Sequence, residues 1–276
     1  MIKSGAMNPE LAIIGAGNMA EAIVRGLLSA KVFSPQQMHA ADVSPQRRDV
    51  FSKELGVASH ESAAEAARGA GRVLLSVKPQ NMKDVLSQLK PALRQDALVI
   101  SIAAGISTKF IEHGLSPLPC RVIRTMPNTP MLVGEGMVAM APGARATADD
   151  MKDARRIFAP AATVIDVTED KLDAVTAISG SGPAYFFLLV EQMIRAGIEL
   201  GMTPEESRLL SIRTAVGAAK MLGNSEESPQ ELRRKVTSPK GTTHEAITYM
   251  EQRDVPQSIV DAIKAAQRRS RELGSN

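Results

Sequence analysis

Short apolar, β-branched runs recur through the first part of the chain, each followed by a stretch whose apolar residues fall at helical spacing. The runs are Leu11–Ile14, Met38–Asp42, Arg72–Val77, Leu98–Ala103 and Arg121–Met126, with two more near Met137–Ala141 and Thr163–Val167. Strands alternating with amphipathic helices predict parallel βαβ units. Because the runs are apolar at nearly every position, the sheet is expected to be covered on both faces. Ser34-Pro35-Gln36-Gln37 and Ser62-Ala63-Ala64-Glu65 read as helix starts, each with a hydroxyl three residues before a side chain able to reach back.

From about Thr168 no strand-like run remains, and helical periodicity continues through the rest of the chain. Thr203-Pro204-Glu205-Glu206 and Ser228-Pro229-Gln230-Glu231 are capping boxes with proline at the first helical position. Gly201 and Gly223 are expected to end the helices before them. The pattern predicts an α/β domain with a mostly parallel sheet over residues 1–168, then an all-α domain over residues 169–276. A helical domain with several apolar faces often dimerises.

Composition narrows the function classes. The chain has 276 residues with 44% hydrophobic content, enough to fill a core. Its 33 Lys and Arg against 30 Asp and Glu leave a formal +3 with no long block of like charge, so neither nucleic acid nor a membrane surface is indicated as a partner. A single cysteine, Cys120, excludes an internal disulfide framework and a Cys-rich metal site. His39, His60 and His113 are scattered, and no metal site is expected. No apolar stretch reads as long enough to span a bilayer, and the residues before Asn8 lack the apolar core of a signal peptide. The protein is expected to be cytoplasmic.

The first strand ends at Ile14 and runs into Gly15-Ala16-Gly17-Asn18-Met19-Ala20, which opens a helix. A strand–glycine turn–helix in the first βαβ unit is the context of a dinucleotide fingerprint, and makes the first domain Rossmann-type. Gly15 permits the tight turn, Gly17 lets backbone approach a pyrophosphate, and Ala20 takes the third glycine position; an ordinary strand–helix turn is the alternative. Asp42, ending the second strand, is placed to accept the ribose hydroxyls of NADH. Arg47 and Arg48 follow, and a guanidinium there can hold the extra phosphate of NADPH or simply face solvent. The cofactor is therefore NADPH or NADH, with the preference open. Val77-Lys78-Pro79 and Ala103-Ala104-Gly105 lie where two further strands end, on the edge where such sheets bind ligands, and otherwise read as simple turns.

In the helical half, Ser179-Gly180-Ser181-Gly182-Pro183 and Thr237-Ser238-Pro239-Lys240-Gly241-Thr242-Thr243 each precede a helix. Free N–H groups and hydroxyls at a positive helix end can bind a carboxylate, or can serve as plain N-caps. The second segment, with the helical stretch to Glu251, resembles the signature of pyrroline-5-carboxylate reductases. So do Arg124-Thr125-Met126-Pro127-Asn128-Thr129-Pro130 and the stretch from Ser179 to Tyr185, in order and spacing, across Leu11 to Leu273. The resemblance implies that Gly15 to Met19, Lys78, Pro79 and Ala104 touch the dinucleotide and that Ser238, Gly241, Thr242 and Thr243 enclose the substrate. It further implies a homodimer through the helical halves, with larger rings built from it. Where the family usually has Gly-Gly after Ser-Pro, this chain has Lys240 first, which either strengthens carboxylate binding or obstructs a turn needing positive φ.

The reaction so implied is reduction of the imine 1-pyrroline-5-carboxylate to L-proline. An imine already protonated needs positioning and exclusion of water more than acid catalysis. Thr243 is placed beside the nitrogen, its hydroxyl able to donate and accept. His244 is turned about 100° from it on a helix. Two other readings stand beside this one. A 3-hydroxyacid dehydrogenase would rely on a lysine such as Lys220 or Lys235. A dinucleotide sensor would keep the fold without turnover.

Overall fold

The computed structural model describes residues 8–274; residues 1–7, read above as lacking a signal peptide's apolar core, lie outside the described residues. Chain contacts define two compact units, one running to Ser181 and including the segment from Ala266 onward, the other spanning Gly182 to Ala265.

The first unit carries strands β1 Leu11–Ile14, β2 Met38–Ala41, β3 Ala58–His60, β4 Arg72–Leu75, β5 Leu98–Ser101, β6 Arg121–Met126, β7 Gly136–Pro142 and β8 Ala162–Asp166. Helices α1 Asn18–Ser29, α2 Pro45–Asp49, α3 Ala63–Ala67, α4 Met82–Leu89, α5 Thr108–Leu115, α6 Ala148–Phe158 and α7 Leu172–Val175 connect and follow them. The sheet order is β3-β2-β1-β4-β5-β6-β7-β8, parallel throughout except between β6 and β7. The chain leaves β1 toward one edge and returns through β4 on the other side, which makes the gap beyond β1 and β4 the topological switch point.

The alternation of side chains along β1 shows why the sheet is buried on both faces. Leu11 and Ile13 join one core with Ile23, Leu27, Phe51 and Phe158, while Ala12 and Ile14 join the other with Leu75, Leu86 and Ile111. Neither face can accept a polar residue at these positions, so the strand reads as a continuous apolar run.

Local signals were met unevenly. Ser34-Pro35-Gln36-Gln37 opens only a short 3₁₀ helix, Pro35–Gln37, with its capping box formed and the Gln37 side chain accepting the Ser34 N–H at 2.7 Å, before the chain enters β2. Ser62 precedes α3, but its side chain makes no capping bond. The short β3, paired to β2 from His39 to Ala41, has no counterpart in the strand runs read from sequence.

The second unit carries α8 Gly182–Glu199, α9 Pro204–Gly223, α10 Pro229–Lys235, α11 Thr242–Gln252 and the start of α12 Val255–Gly274. The Thr203 box is complete: Thr203 Oγ1 accepts the Glu206 N–H at 3.2 Å, and the Glu206 carboxylate accepts the Thr203 N–H at 2.9 Å. At Ser228 only half forms, because the Glu231 carboxylate engages Arg234 instead. Gly201 follows α8 at φ +93 as expected of a terminating glycine, whereas Gly223 is the last residue inside α9 and Asn224 caps it. The helical run Glu169–Glu199, 31 residues, is long and apolar enough to cross a membrane by length and composition alone, a stretch that the sequence reading did not credit with that length.

Candidate active site

Gly15 adopts φ +96, and a methyl group on it would sit 2.5 Å from the Ser76 carbonyl oxygen, so the turn admits only glycine. Gly17 caps α1 with no side-chain bond, and nothing lies within 4 Å of where its Cβ would be. The open space beside Gly17 lies at the positive end of α1, whose first N–H groups have no partner within the helix. This is a cradle that a pyrophosphate fits, made by backbone alone.

Asp42 follows β2 and braces this turn. Its Oδ2 accepts the Ala16 N–H at 2.7 Å and its Oδ1 accepts the Ser44 N–H at 2.8 Å. Arg47 Nε donates to the Ala16 carbonyl at 2.5 Å and its Nη2 to Glu21 at 2.7 Å. Arg48 Nη1 donates to the Asp42 and Val43 carbonyls at 2.8 and 3.0 Å. Neither arginine is a merely solvated side chain; both hold the turn and the end of β2. Burial raises the Glu21 pKa, but hydrogen bonds from Arg47 and Arg25 outweigh this and leave it below the ordinary value.

A cleft of about 510 Å3 opens at the switch point. Of the residues expected at the dinucleotide, Ile14, Gly15, Gly17, Asp42, Val77 and Lys78 line it. Ala16, Asn18, Met19, Pro79 and the Ala103-Ala104-Gly105 loop are not among its lining residues. Ser76, Asn81 and Glu61 line it without having been singled out. Ser76 follows β4 and donates its N–H to the Ile14 carbonyl at 2.8 Å; its place at the carboxyl end of the Arg72–Val77 run is the signal that could have found it.

The second candidate region lies in the helical unit. The Gly241 N–H donates to the Ser238 carbonyl at 3.0 Å, closing a turn in which Lys240 adopts φ +58. Lysine thus sits at a left-handed position, the conformation that glycine takes without cost. Gly241 caps α11 with no side-chain bond, and a Cβ there would collide with Ser238 Oγ. Thr242 and Thr243 form the first turn of α11, with Thr243 half-buried and His244 exposed. Among the described residues the Thr243 hydroxyl makes no hydrogen bond.

The segment Ser179-Gly180-Ser181-Gly182-Pro183 precedes α8 as expected, but much of it is itself helical. Thr176–Gly180 is a π-helical turn, the Ser181 N–H is already bonded to the Thr176 carbonyl at 2.8 Å, and Ser179 Oγ donates to Val175. Asn128 holds this turn in place, donating Nδ2 to the Ser179 carbonyl at 3.1 Å while its Oδ1 accepts the Met137 N–H at 2.8 Å. That role was not foreseen, although Pro127-Asn128-Thr129-Pro130 marked the segment. His39 and His60 are neighbours rather than scattered, with ring centroids 5.0 Å apart. No group of three metal-ligating side chains occurs among the described residues.

Residues 10–105 match the family described as NADP oxidoreductase coenzyme F420-dependent, and residues 169–273 match the one described as Pyrroline-5-carboxylate reductase dimerisation. Over 96% of this chain and 97% of the relative, the sequence is 42% identical to a pyrroline-5-carboxylate reductase of Pseudomonas aeruginosa. The chain belongs to the pyrroline-5-carboxylate reductase family. A family member from Coxiella burnetii has the same fold, with a TM-score of 0.87 and 36% identity, covering 97% of this chain and 99% of that one. The pyrroline carboxylate reductase of Plasmodium falciparum, solved with NADP bound, gives a TM-score of 0.86 and 30% identity over 98% and 100% of the two chains. Membership removes the hydroxyacid dehydrogenase reading. Lys235, one of its two candidate lysines, is moreover paired with Glu227 at 2.5 Å.

Proposed function

We infer that this chain reduces 1-pyrroline-5-carboxylate to L-proline with NADPH or NADH, the last step of proline synthesis. The observation that carries the reading is the 42% identity to a pyrroline-5-carboxylate reductase along 96% of the chain. When bound, the nicotinamide supplies the hydride that adds to the imine carbon, and the nitrogen keeps its proton.

The chain's own residues then have binding and orienting work to do. The backbone of Gly15 to Met19 receives the pyrophosphate, Val77, Lys78 and Pro79 follow the dinucleotide along the sheet edge, and Ala103 to Gly105 back the nicotinamide half. Asp42 accepts the ribose hydroxyls with the lone pairs its two backbone bonds leave over. A 2′-phosphate there would meet the Asp42 and Glu61 carboxylates, while Arg47 and Arg48 are engaged elsewhere, which favours NADH over NADPH. At the start of α11, the free N–H groups of Thr242 and Thr243 and the Ser238 hydroxyl hold the substrate carboxylate, Gly241 shaping the turn; Ser181 is a separate candidate for binding substrate. Thr243 orients the nitrogen or relays a proton from water. A threonine hydroxyl is a weak acid, so its contribution is mainly placement.

The exposed apolar faces of the helical unit are read as the contact with a second copy in a homodimer or larger homo-oligomer, not with lipid. Buried Cys120, its thiol pKa pushed up by burial, fits a reducing cytoplasm. The test is steady-state oxidation of NADH and of NADPH by the full-length protein with pyrroline-5-carboxylate, beside Thr243→Ala. Turnover that the variant reduces by roughly 10²-fold, with unchanged dinucleotide binding, supports the reading; binding of either dinucleotide without turnover leaves only the sensor.

A further inference from the structure

The Ala103–Ser107 loop between β5 and α5 is held from outside by a segment remote in sequence, residues 266–274 of the same unit. Gly105 adopts φ +77, and a methyl on it would lie 3.1 Å from Gly274 N and 3.2 Å from the Leu273 carbonyl carbon. Conversely, a methyl on Gly274 would lie 2.5 Å from Gly105 O. Two glycines therefore let backbone rest on backbone at this point. Leu273, 46% exposed, does not supply the docking force by burial.

A polar chain anchored on buried Ser270 and Arg124 holds the segment one turn earlier. Ser270, 5% exposed, donates its hydroxyl to Asp173 at 2.8 Å. Asp173 lies 3.7 Å from Arg124, a buried guanidinium on β6 that also faces Glu169 at 3.5 Å. Glu169 in turn accepts both the N–H and the hydroxyl of Thr108, at 2.7 and 2.6 Å, and so fixes the first turn of α5 immediately after the loop. The other end of the loop is tied through Ser101, whose hydroxyl accepts the Ala103 N–H at 3.3 Å and whose carbonyl accepts the Thr125 hydroxyl at 3.1 Å. A buried arginine between two carboxylates is costly to unpair, so the arrangement resists drift. Every fixed point in it surrounds one loop.

We propose that residues 266–274 buttress the Ala103–Ser107 loop, with Ser270 and Gly274 as positioning residues for the dinucleotide, acting through Asp173, Arg124 and Glu169. The proposal rests on the assignment of that loop to the nicotinamide half. An error of about 1 Å in a positioning element weakens function by up to roughly 10²-fold.

The test uses the full-length protein and four variants, Gly274→Val, Ser270→Ala, Ser270→Thr and Asp42→Ala. NADH binding is titrated without imine, deuterium uptake is followed by peptide, and Tm is recorded. For Gly274→Val and Ser270→Ala the expected result is dinucleotide binding weakened roughly tenfold and faster exchange confined to residues 102–108. The KM for NADH rises while that for the imine stays unchanged, Tm shifts little, and Ser270→Thr restores binding. Unchanged binding in both, while Asp42→Ala weakens it, overturns the buttress and leaves the dinucleotide assignment standing. A fall in Tm with faster exchange throughout the α/β unit also overturns it, as a stability effect alone. Absence of binding of both NADH and NADPH in the unmodified protein removes the buttress and the assignment together.

Discussion

In the α/β unit, Leu11, Ile13, Leu74, Leu86 and Phe158 are all fully or almost fully buried, and two continuous cores flank the sheet. In the helical unit the only buried side chains from Gly182 to Ala265 belong to Ser207 and Ser211, while Phe186, Phe187, Leu188, Leu189, Leu209 and Leu210 are exposed. Phe187, for example, is 70% exposed. The helices nonetheless have good local chemistry, with a complete capping box at Thr203 and a close approach of α8 and α9 at Gly197 and Ser207. Helix signals and core burial are thus separable: the first unit has both, the second has the signals and lacks a core of its own. Propensity and caps rarely stabilise helices without a packed apolar face. The match of residues 169–273 to a family described by dimerisation is the natural counterpart of that missing core.

The largest effect is expected from charging this surface. Phe187→Asp with Leu188→Asp should abolish assembly and melt the helical unit, since each such side chain is worth about 1.5–3 kcal/mol when covered. Light scattering and circular dichroism read both outcomes; an assembly that survives would mean that other faces make the contact. Leu74→Ala in the α/β core should cost about 2–5 kcal/mol and lower Tm while leaving the oligomer intact. If it dissociates the oligomer instead, the two units are not the independent cases described.

Smaller effects sharpen the comparison within each unit. Lys240→Gly should stabilise the helical unit by about 1 kcal/mol or less, because relief of the left-handed lysine is partly offset by the freer unfolded chain. A lower Tm would show that the lysine side chain does more than tolerate the turn. Asp42→Ser should raise kcat/KM with NADPH relative to NADH; an unchanged ratio would remove Asp42 from cofactor choice. The smallest effect concerns Glu21, whose carboxyl pKa is depressed in the folded protein. Its contribution is present above the ordinary value of 4.5 and is lost as pH falls through the lower folded value. Glu21→Gln should therefore flatten the acid side of the stability profile by at most about 1 kcal/mol. An unchanged profile would mean that the Arg47 and Arg25 pairs add nothing.

Much of this was readable before the structure, for identifiable reasons. Leu11–Ile14 and Leu98–Ser101 are buried on both faces, so their runs are continuous and visible. Ala58–His60 was not seen as a strand because a three-residue edge strand with two polar members carries no period to detect. Gly15 was legible because its positive φ and the Ser76 carbonyl beside it leave glycine in the sequence. Ser179 and Gly180 were read as part of a segment interrupting the helical half, since Gly and Ser there signal a break while the bonds that keep the π-turn Thr176–Gly180 helical reach back to Val175 and Thr176. The Arg124, Glu169, Asp173 and Ser270 chain was invisible because its members are charged or polar and far apart in sequence. Nothing local distinguishes such residues from solvated ones.

The central claim, hydride transfer to a cyclic imine, is tested most directly by the product. The full-length protein would be given pyrroline-5-carboxylate and a reduced dinucleotide deuterated at the transferable position of C4, and the products examined by mass spectrometry. The account predicts proline carrying one deuterium on the former imine carbon. Oxidised dinucleotide with no labelled proline, or no oxidation at all in protein that binds the dinucleotide, would contradict it.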